Sequence, residues 1–560
     1  MRYIIIGGVA GGASTAARLR RLDEHAEIIL FEKGAYISYA NCGLPYYIGD
    51  VITDRNKLFL QTAASFKQRF NIDARVLSEV IAIHPQSKTV SVKDVTTGNI
   101  YEERYDKLVL SPGAEPVRPP LNGIESNGIF TLRNVTDTDK IKEYVQQFPS
   151  GKAVIIGAGF IGLEMAENLH HLGMKVSIVE MGEQILAPVD FSIAAIAQQH
   201  IRSKGVDLKL KTTVTGFEKT AEGLRVLLKD QMPLDADVVI LSIGVKPDTK
   251  LALEAGLQLG KARGILVNEY LQTSDENIYA VGDAIEFINP ITGNSMPTYL
   301  AGPANKQARI CANNMVLGNQ QKYYGSINTA IVKIFDFTVA VAGVASKHLK
   351  AANIKHLVST THSGSHASYY PDAEQMSIQI TFSPENGRLL GAQIIGVDGV
   401  DKRIDTLSSV IQRNSTIYEL TEFEHAYAPP YSSAKDPVNM AGFVAENILQ
   451  KRLRVVPWTI VNELSNTNDI LIDVRSAKEF YNGHISGAIN ISVDDIRNRL
   501  SEIPGNKNIY IYCQIGLRGY LAQRILLQNG FQNVFNISGG YKLWDACNAE
   551  AKMSKKELAV

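Results

Sequence analysis

The sequence predicts a multidomain α/β chain, and three observations predict it. A glycine-rich strand–turn–helix–strand pattern occurs twice, in RYIIIGGVAGGASTAARLRRL with AEIILFEK and in KAVIIGAGFIGLEMAENLHHLG with KVSIVEM. From about residue 323 the pattern changes to strands (AIVKIFDFTVAVAGVA, SIQITF, LLGAQIIG) followed by a helix (KRIDTLSSVIQRN). A fresh α/β pattern starts at Pro457 and Trp458. Two Rossmann-like domains, an α+β block and a closing α/β domain follow. A length of 560 residues suits three to five domains.

The first copy opens with an apolar strand, a glycine turn and an Ala-rich helix, and its second strand ends at Glu32. Gly7 and Gly12 match the dinucleotide fingerprint, while Val9 occupies the middle glycine position. Two later segments support it. LVLSPGA, at 108–114, is a strand ending in a Pro-Gly turn, and NIYAVGDA, at 277–284, delivers Asp283 to a glycine turn. Segments of this type close the FAD site of flavoproteins that bind two dinucleotides, where the aspartate holds the ribityl chain. Gly7, Gly12, Glu32 and Asp283 are therefore the expected FAD residues.

The second copy is complete, with Gly157, Gly159, Gly162 and an acid, Glu180, ending the next strand. Glycine permits the tight turn and brings the pyrophosphate to the helix N-terminus. A carboxylate at Glu180 accepts a free ribose 2′-hydroxyl and repels a 2′-phosphate, which points to NADH. The expected layout is an FAD domain at 1–112 and 247–322, interrupted by an NAD domain at 113–246. A dimerisation domain at 323–447, a polar link at 448–456, the closing domain at 457–549 and a frayed tail at 550–560 complete it.

Lys plus Arg equals Asp plus Glu, 57 each, so neither nucleic acid nor an anionic membrane is the expected partner. No apolar run reaches the ~18 residues of a membrane span. MRYIIIGG runs straight into the glycine turn and is no signal peptide. The four cysteines, 42, 311, 513 and 547, lie far apart, and no pair has zinc-ligand spacing. No metal is expected, and the location expected is the cytoplasm.

SYANCGLPY around Cys42, HASYYPDA at 366–373 and FEHAYAPPYSSAKDP at 423–437 carry a family resemblance. On them the first 447 residues closely resemble coenzyme A disulfide reductase. In that family the cysteine forms a mixed disulfide with coenzyme A (CoA) beside the flavin, and two tyrosines of the opposite subunit face it. By motif these are Tyr369 and Tyr427. The resemblance implies a homodimer and CoA contacts at Ser14, Arg18, Arg21, Ser38, Asn41, Asn305 and Lys435. A basic residue that some relatives use for the CoA phosphates is replaced by Phe70. Arg20 is expected on a solvated helix face, and His425 as a surface or packing residue.

LIDVRSAKEFYNGHISGAINI and IYCQIGLRGYLAQRIL make the closing domain resemble a rhodanese. The run reads as strand, six-residue loop from Cys513 to Arg518, then helix. Backbone N–H groups and the helix N-terminus can stabilise a thiolate or persulfide there, with Arg518 adding positive charge. Cys42 looks placed in a turn into a short helix, a setting that also suits a thiolate. Cys311, in a helix at apolar spacing, reads as core, and Cys547 as packing.

The two resemblances together imply an NADH- and FAD-dependent enzyme. It would reduce CoA persulfide, polysulfide or CoA disulfide through Cys42 and bound CoA, while the rhodanese handles sulfane sulfur at Cys513. The alternatives are a plain CoA disulfide reductase with an accessory tail, an NADH oxidase or peroxidase cycling through a sulfenic acid, and a redox-sensing flavoprotein. The two-tyrosine pattern favours the thiol reading over the oxidase, and the complete rhodanese loop disfavours the sensor.

Overall fold

The computed structural model describes residues 1–221, 223–465 and 468–557, so the last three residues of the expected tail lie outside the described ones. The chain forms two compact units, 1–181 with 212–328 and 182–211 with 329–560.

In the first unit the strands Ile278–Ala280, Lys107–Leu110, Arg2–Ile6, Glu27–Phe31 and Asp73–Arg75 lie side by side in that order, all parallel. Near-continuous Ile, Leu and Val is what a strand covered on both faces requires. Ile4, Ile5, Leu108 and Val109 are fully buried, and each such side chain stabilises the fold by roughly 1.5–3 kcal/mol. The helix Ala10–Leu22 buries its small residues, Gly11, Gly12, Ala13 and Ala16. A Cβ on Gly12 would stand 1.8 Å from the Gly7 carbonyl oxygen, so only glycine lets helix and turn close. The second fingerprint repeats the device: a Cβ on Gly162 would stand 2.0 Å from the Gly157 oxygen. Its strands Lys175–Val179, Lys152–Ile156, Val238–Leu241 and Ile129–Phe130 are also adjacent and parallel.

Arg20 corrects an expectation. It is buried, and its guanidinium donates to the carbonyls of Phe70, Asp23, Glu24, Ala26 and Asn71 at 2.5–3.1 Å. Carbonyls at helix ends lack intrahelical donors, and one five-donor fork supplies two helices at once.

In the second unit five antiparallel strands, Ala330–Ile334, Phe337–Gly343, Leu389–Gly396, Gln375–Phe382 and Leu357–Gly364, form one sheet. The helix Phe191–Ser203, expected within the NAD domain, belongs to this unit. Just before it, the Asp190 carboxylate accepts from the Ser346 and Lys347 amides (3.0 and 2.9 Å) and from the side chains of Gln379 and Gln393 (2.6 and 2.7 Å). A buried carboxylate with four donors fixes that segment.

The closing sheet runs Val455–Val456, Val534–Ile537, Asn508–Tyr512, Asp469–Asp473, Ile489–Asn490, all parallel. Its first strand therefore falls in the segment expected as a link, too short for its pattern to show. The last helix runs Gly540–Glu557, where a frayed tail from 550 was expected. Leu543, Ala546, Cys547 and Glu550 share one face by spacing, and Glu550 is 0 % exposed. Its carboxylate accepts from Gln198 Nε2 at 2.9 Å and lies 3.6 Å from Arg202 Nε. Cys311 is buried in the helix Ala301–Leu317 and Cys547 in the last helix, as core residues.

Candidate active sites

A cavity of about 480 Å³ opens in the first unit, lined among others by Gly7, Glu32, Asn41, Cys42, Arg133 and Asp283. The helix that begins at Ala10 has no side-chain cap, so its first amides face the cavity mouth unspent. Glu32 accepts from the amides of Gly8 and Gly34, both at 2.8 Å, which holds the carboxylate at the strand end. Val9, the departure from the fingerprint, has φ −102°, a value any residue adopts. At the second turn Gly157 has φ +100°, and Glu180 accepts from the Ala158 amide at 2.8 Å. A Cβ on Gly159 would meet nothing within 4 Å. The middle glycine is thus not needed by the chain's own packing in either copy.

Cys42 stands in the short turn Asn41–Gly43, which leads into the helix Leu44–Ile48 with Pro45 in its first turn. It is the exposed one of four free cysteines. The setting does not make it a ready thiolate: burial by surrounding protein raises its thiol, and the Glu164 and Asp283 carboxylates raise it further. Glu164 accepts from the Tyr46 hydroxyl at 3.2 Å. Burial pushes the Glu164 carboxyl up to about 7, with Tyr46 opposing and Glu167 adding to the shift. Burial also raises Asp283, with Arg133 pulling the other way.

Ser14 donates to Asn305 at 2.6 Å and Arg18 Nε to Asn313 at 3.0 Å, which joins the first helix to Ala301–Leu317. Partial burial, then the charges of Arg309 and Arg21, lower Arg18, so three guanidiniums crowd one edge. Ser38 adopts φ +47° and donates its amide to Gly8. Lys435 is exposed and belongs to the second unit. Phe70 packs edge-on against Phe66, their centroids 5.4 Å apart.

In the second unit the hydroxyls of Tyr369 and Tyr427 are 2.7 Å apart, though the residues are 74 % and 47 % exposed. Their mutual hydrogen bond raises Tyr369. Beneath them Arg403 is buried, pairs with Asp436 at 2.8 Å and donates to the Ser365 carbonyl at 2.8 Å. Ser432 Oγ donates to Asp436 at 2.6 Å, and the Ala367 amide to the Ser432 carbonyl at 3.0 Å. Both tyrosine loops are thereby tied to one buried ion pair. His425 is half-buried, 3.9 Å from Asp436 and beside the Phe423 ring.

Cys513 follows the strand Asn508–Tyr512 and is buried. Its Sγ accepts from the Gly516 amide at 3.1 Å. The helix begins at Leu517, so the loop is shorter than expected and Arg518 stands in the helix's first turn. Arg518 shares its charge, first with the Glu479 carboxylate and then with the Cys513 sulfur, both of which raise it. Its two terminal nitrogens donate to both oxygens of Glu479, at 2.7 and 2.6 Å. That pairing leads the causes that hold the Glu479 carboxyl down to about 2. Arg475 is buried, paired with Asp473 at 2.7 Å and bonded to Gln514 Oε1 at 3.0 Å.

Residues 1–304 match the family described as pyridine nucleotide-disulphide oxidoreductase, 329–437 its dimerisation domain and 458–547 the rhodanese-like domain. The chain belongs to the pyridine nucleotide-disulphide oxidoreductases. Within them it is 36% identical to a coenzyme A disulfide reductase of Staphylococcus haemolyticus over 447 residues, 80% of this chain and all of that one. A solved structure of reduced Bacillus anthracis CoADR-RHD is 46% identical, covers 98% of both chains and superposes with a TM-score of 0.96. An NAD-dependent persulfide reductase from A. fulgidus is 38% identical, with 97% of this chain and 100% of that one covered and a TM-score of 0.91.

The protein is thus a flavin-dependent disulphide oxidoreductase of the coenzyme A disulfide reductase type with a rhodanese domain, using FAD and NAD(H). Its residues fit both cofactors: each glycine turn closes only as glycine, each following helix starts uncapped, and each carboxylate is held at a strand end. No described helix is long and apolar enough to cross a membrane, and no metal-binding cluster occurs among the described residues. Sequence reasoning missed Glu164, Arg133, Arg309 and Glu479. Arg309 follows Asn305 by four residues, a spacing that could have exposed it. Glu479 lay inside a quoted motif with no role assigned.

Proposed function

We propose that the protein is an NADH-dependent oxidoreductase that reduces CoA persulfide, polysulfide or CoA disulfide, acting as a homodimer on small sulfur substrates. One observation carries this reading: Cys42 alone among four free cysteines opens onto the cavity, and the other three are buried. A lone accessible thiol needs its second redox sulfur from outside the chain, and the thiol of CoA is that sulfur.

Gly7, Gly12, Glu32 and Asp283 hold FAD, and Gly157, Gly159, Gly162 and Glu180 hold NADH. Bound there, the flavin supplies the two-electron relay from nicotinamide to a sulfur–sulfur bond. Ser14, Arg18, Arg21, Ser38, Asn41, Asn305 and Lys435 contact CoA, and the crowding of Arg18 with Arg21 and Arg309 supports phosphate recognition on that edge. Cys42 attacks the sulfur–sulfur bond of the substrate. Glu164, poised near neutrality beside Tyr46, can take up or release the proton that the thiol exchanges. Tyr369 and Tyr427, contributed across the dimer, donate to the departing thiolate, which leaves faster when stabilised. Cys513 carries sulfane sulfur as a persulfide in a loop whose Gly516 amide already meets the sulfur. Four free thiols fit a reducing compartment, the cytoplasm.

The test is Cys42→Ser, which should retain FAD and lose NADH-dependent persulfide reduction. Full turnover by that variant would sink the reading. Mass spectra of the purified protein with and without reductant should show a CoA adduct that reductant releases. Relative turnover on CoA disulfide and CoA persulfide ranks the two substrates.

A further inference from the structure

Both guanidiniums beside the Cys513 loop are paired with carboxylates. Of the residues from Cys513 to Tyr520, only Arg518 is basic, and both its terminal nitrogens are engaged by Glu479. Ser476 fixes that carboxylate in turn, through its amide at 3.1 Å and its hydroxyl at 2.9 Å. The other nearby guanidinium, Arg475, is spent on Asp473 and on the Gly483 carbonyl at 2.6 Å. Polar attraction for an incoming donor comes from backbone amides and the start of the helix Leu517–Gln528. At the rim stands an apolar side chain, Leu517, 58 % exposed.

Thiosulfate brings two negative charges, and its sulfonate leaves as a dianion. Desolvating such a group without a free cation is costly. At its reacting end an organic persulfide brings at most one charge, on the terminal sulfur that the amides can receive, while its remaining charges sit far along a carbon arm that can lie along Leu517. We propose that Cys513 takes its sulfur from a thiol-bound persulfide, and that Glu479 is the specificity residue that disfavours dianionic donors by occupying Arg518. This rests on the reading of Cys513 as the sulfur carrier. The step is balanced: Cys513–S⁻ plus R–S–SH gives Cys513–S–SH plus R–S⁻. One S–S bond breaks, one forms, the proton stays on the terminal sulfur, and no external oxidant or reductant enters.

The experiment loads the reduced, flavin-containing protein in a single turnover with glutathione persulfide or with thiosulfate and reads added sulfur on the Cys513 peptide by mass. The wild type should load from the persulfide about tenfold faster or more, the size expected when one charge-assisted bond is missing for the other donor. Glu479→Gln, which keeps an acceptor for Ser476 while freeing Arg518, should raise the thiosulfate-to-persulfide ratio about tenfold. Leu517→Arg, which leaves the ion pair intact, should raise the same ratio. Equal loading from both donors in the wild type, or a ratio unmoved in both variants, overturns the specificity assignment while leaving the carrier role standing. A Cys513 that loads from neither donor overturns the carrier reading itself.

Discussion

Lowering the pH should loosen the backing of the Cys513 loop through one histidine. His362 is buried on the strand Leu357–Gly364, with Nε2 3.1 Å from the Gly539 carbonyl and Nδ1 2.8 Å from Ser377 Oγ. A carbonyl only accepts, so Nε2 carries the hydrogen and Nδ1 accepts from the serine hydroxyl. The ring is neutral. Burial, then the charge of Lys542, lowers it from 6.5 to about 4, and the bond to Gly539 offsets this only in part. As pH falls through 6.5 the unfolded chain takes up a proton that the folded chain refuses until about 4. The contribution is whole above the unfolded value and is lost on acidification. At 1.36 kcal/mol per unit, the loss between pH 7 and 4 comes to about 3 kcal/mol. His362→Gln keeps a donor for Gly539 but cannot titrate. Urea midpoints of both proteins across that window isolate the effect, because other carboxylates titrate alike in each. The wild type should lose about 3 kcal/mol more than the variant. Parallel curves would refute the reasoning.

Glu164→Gln removes the charge that, after burial, raises the Cys42 thiol most. The pH at which iodoacetamide modifies Cys42 at half its maximal rate should move down. Gly12→Ala places a Cβ 1.8 Å from the Gly7 oxygen, and the purified protein should lack flavin by its visible spectrum. Gly159→Ala meets no protein atom within 4 Å. It should keep full flavin content, with any penalty confined to the KM for NADH. Arg403→Met leaves Asp436 buried and unpaired. Removing one partner of such a pair costs about 3–5 kcal/mol, read as a lower denaturant midpoint, with kcat falling as the Tyr369–Tyr427 contact is released.

Both fingerprints were legible because glycine spacing encodes a steric fact: a Cβ on Gly12 or Gly162 would stand 1.8 or 2.0 Å from a carbonyl oxygen of the preceding turn. The pairing of Tyr369 with Tyr427 was legible only through resemblance, since 58 residues separate them. What stayed hidden depends on partners distant in sequence. Arg20 reads as one of three basic residues on a helix, and nothing local announces that its acceptors include Phe70 and Asn71. Arg518 reads as a cation beside a thiol until Glu479, 39 residues earlier, is seen to hold it. The allegiance of 182–211 follows from Asp190 finding donors at 346, 347, 379 and 393, more than 150 residues onward. A two-residue strand such as Val455–Val456 carries no period at all.

The burial of His362, Gln198 and Glu550 bears on how the protein can be dissected. The staphylococcal relative is complete in 447 residues, which invites a shortened version of this chain cut at the same length. Such a cut would strip the cover from Phe191, Ala195, Gln198 and His362 and hand water a bare, greasy flank studded with orphaned polar atoms. The abbreviated enzyme would clump unless that flank were first redrawn with soluble side chains.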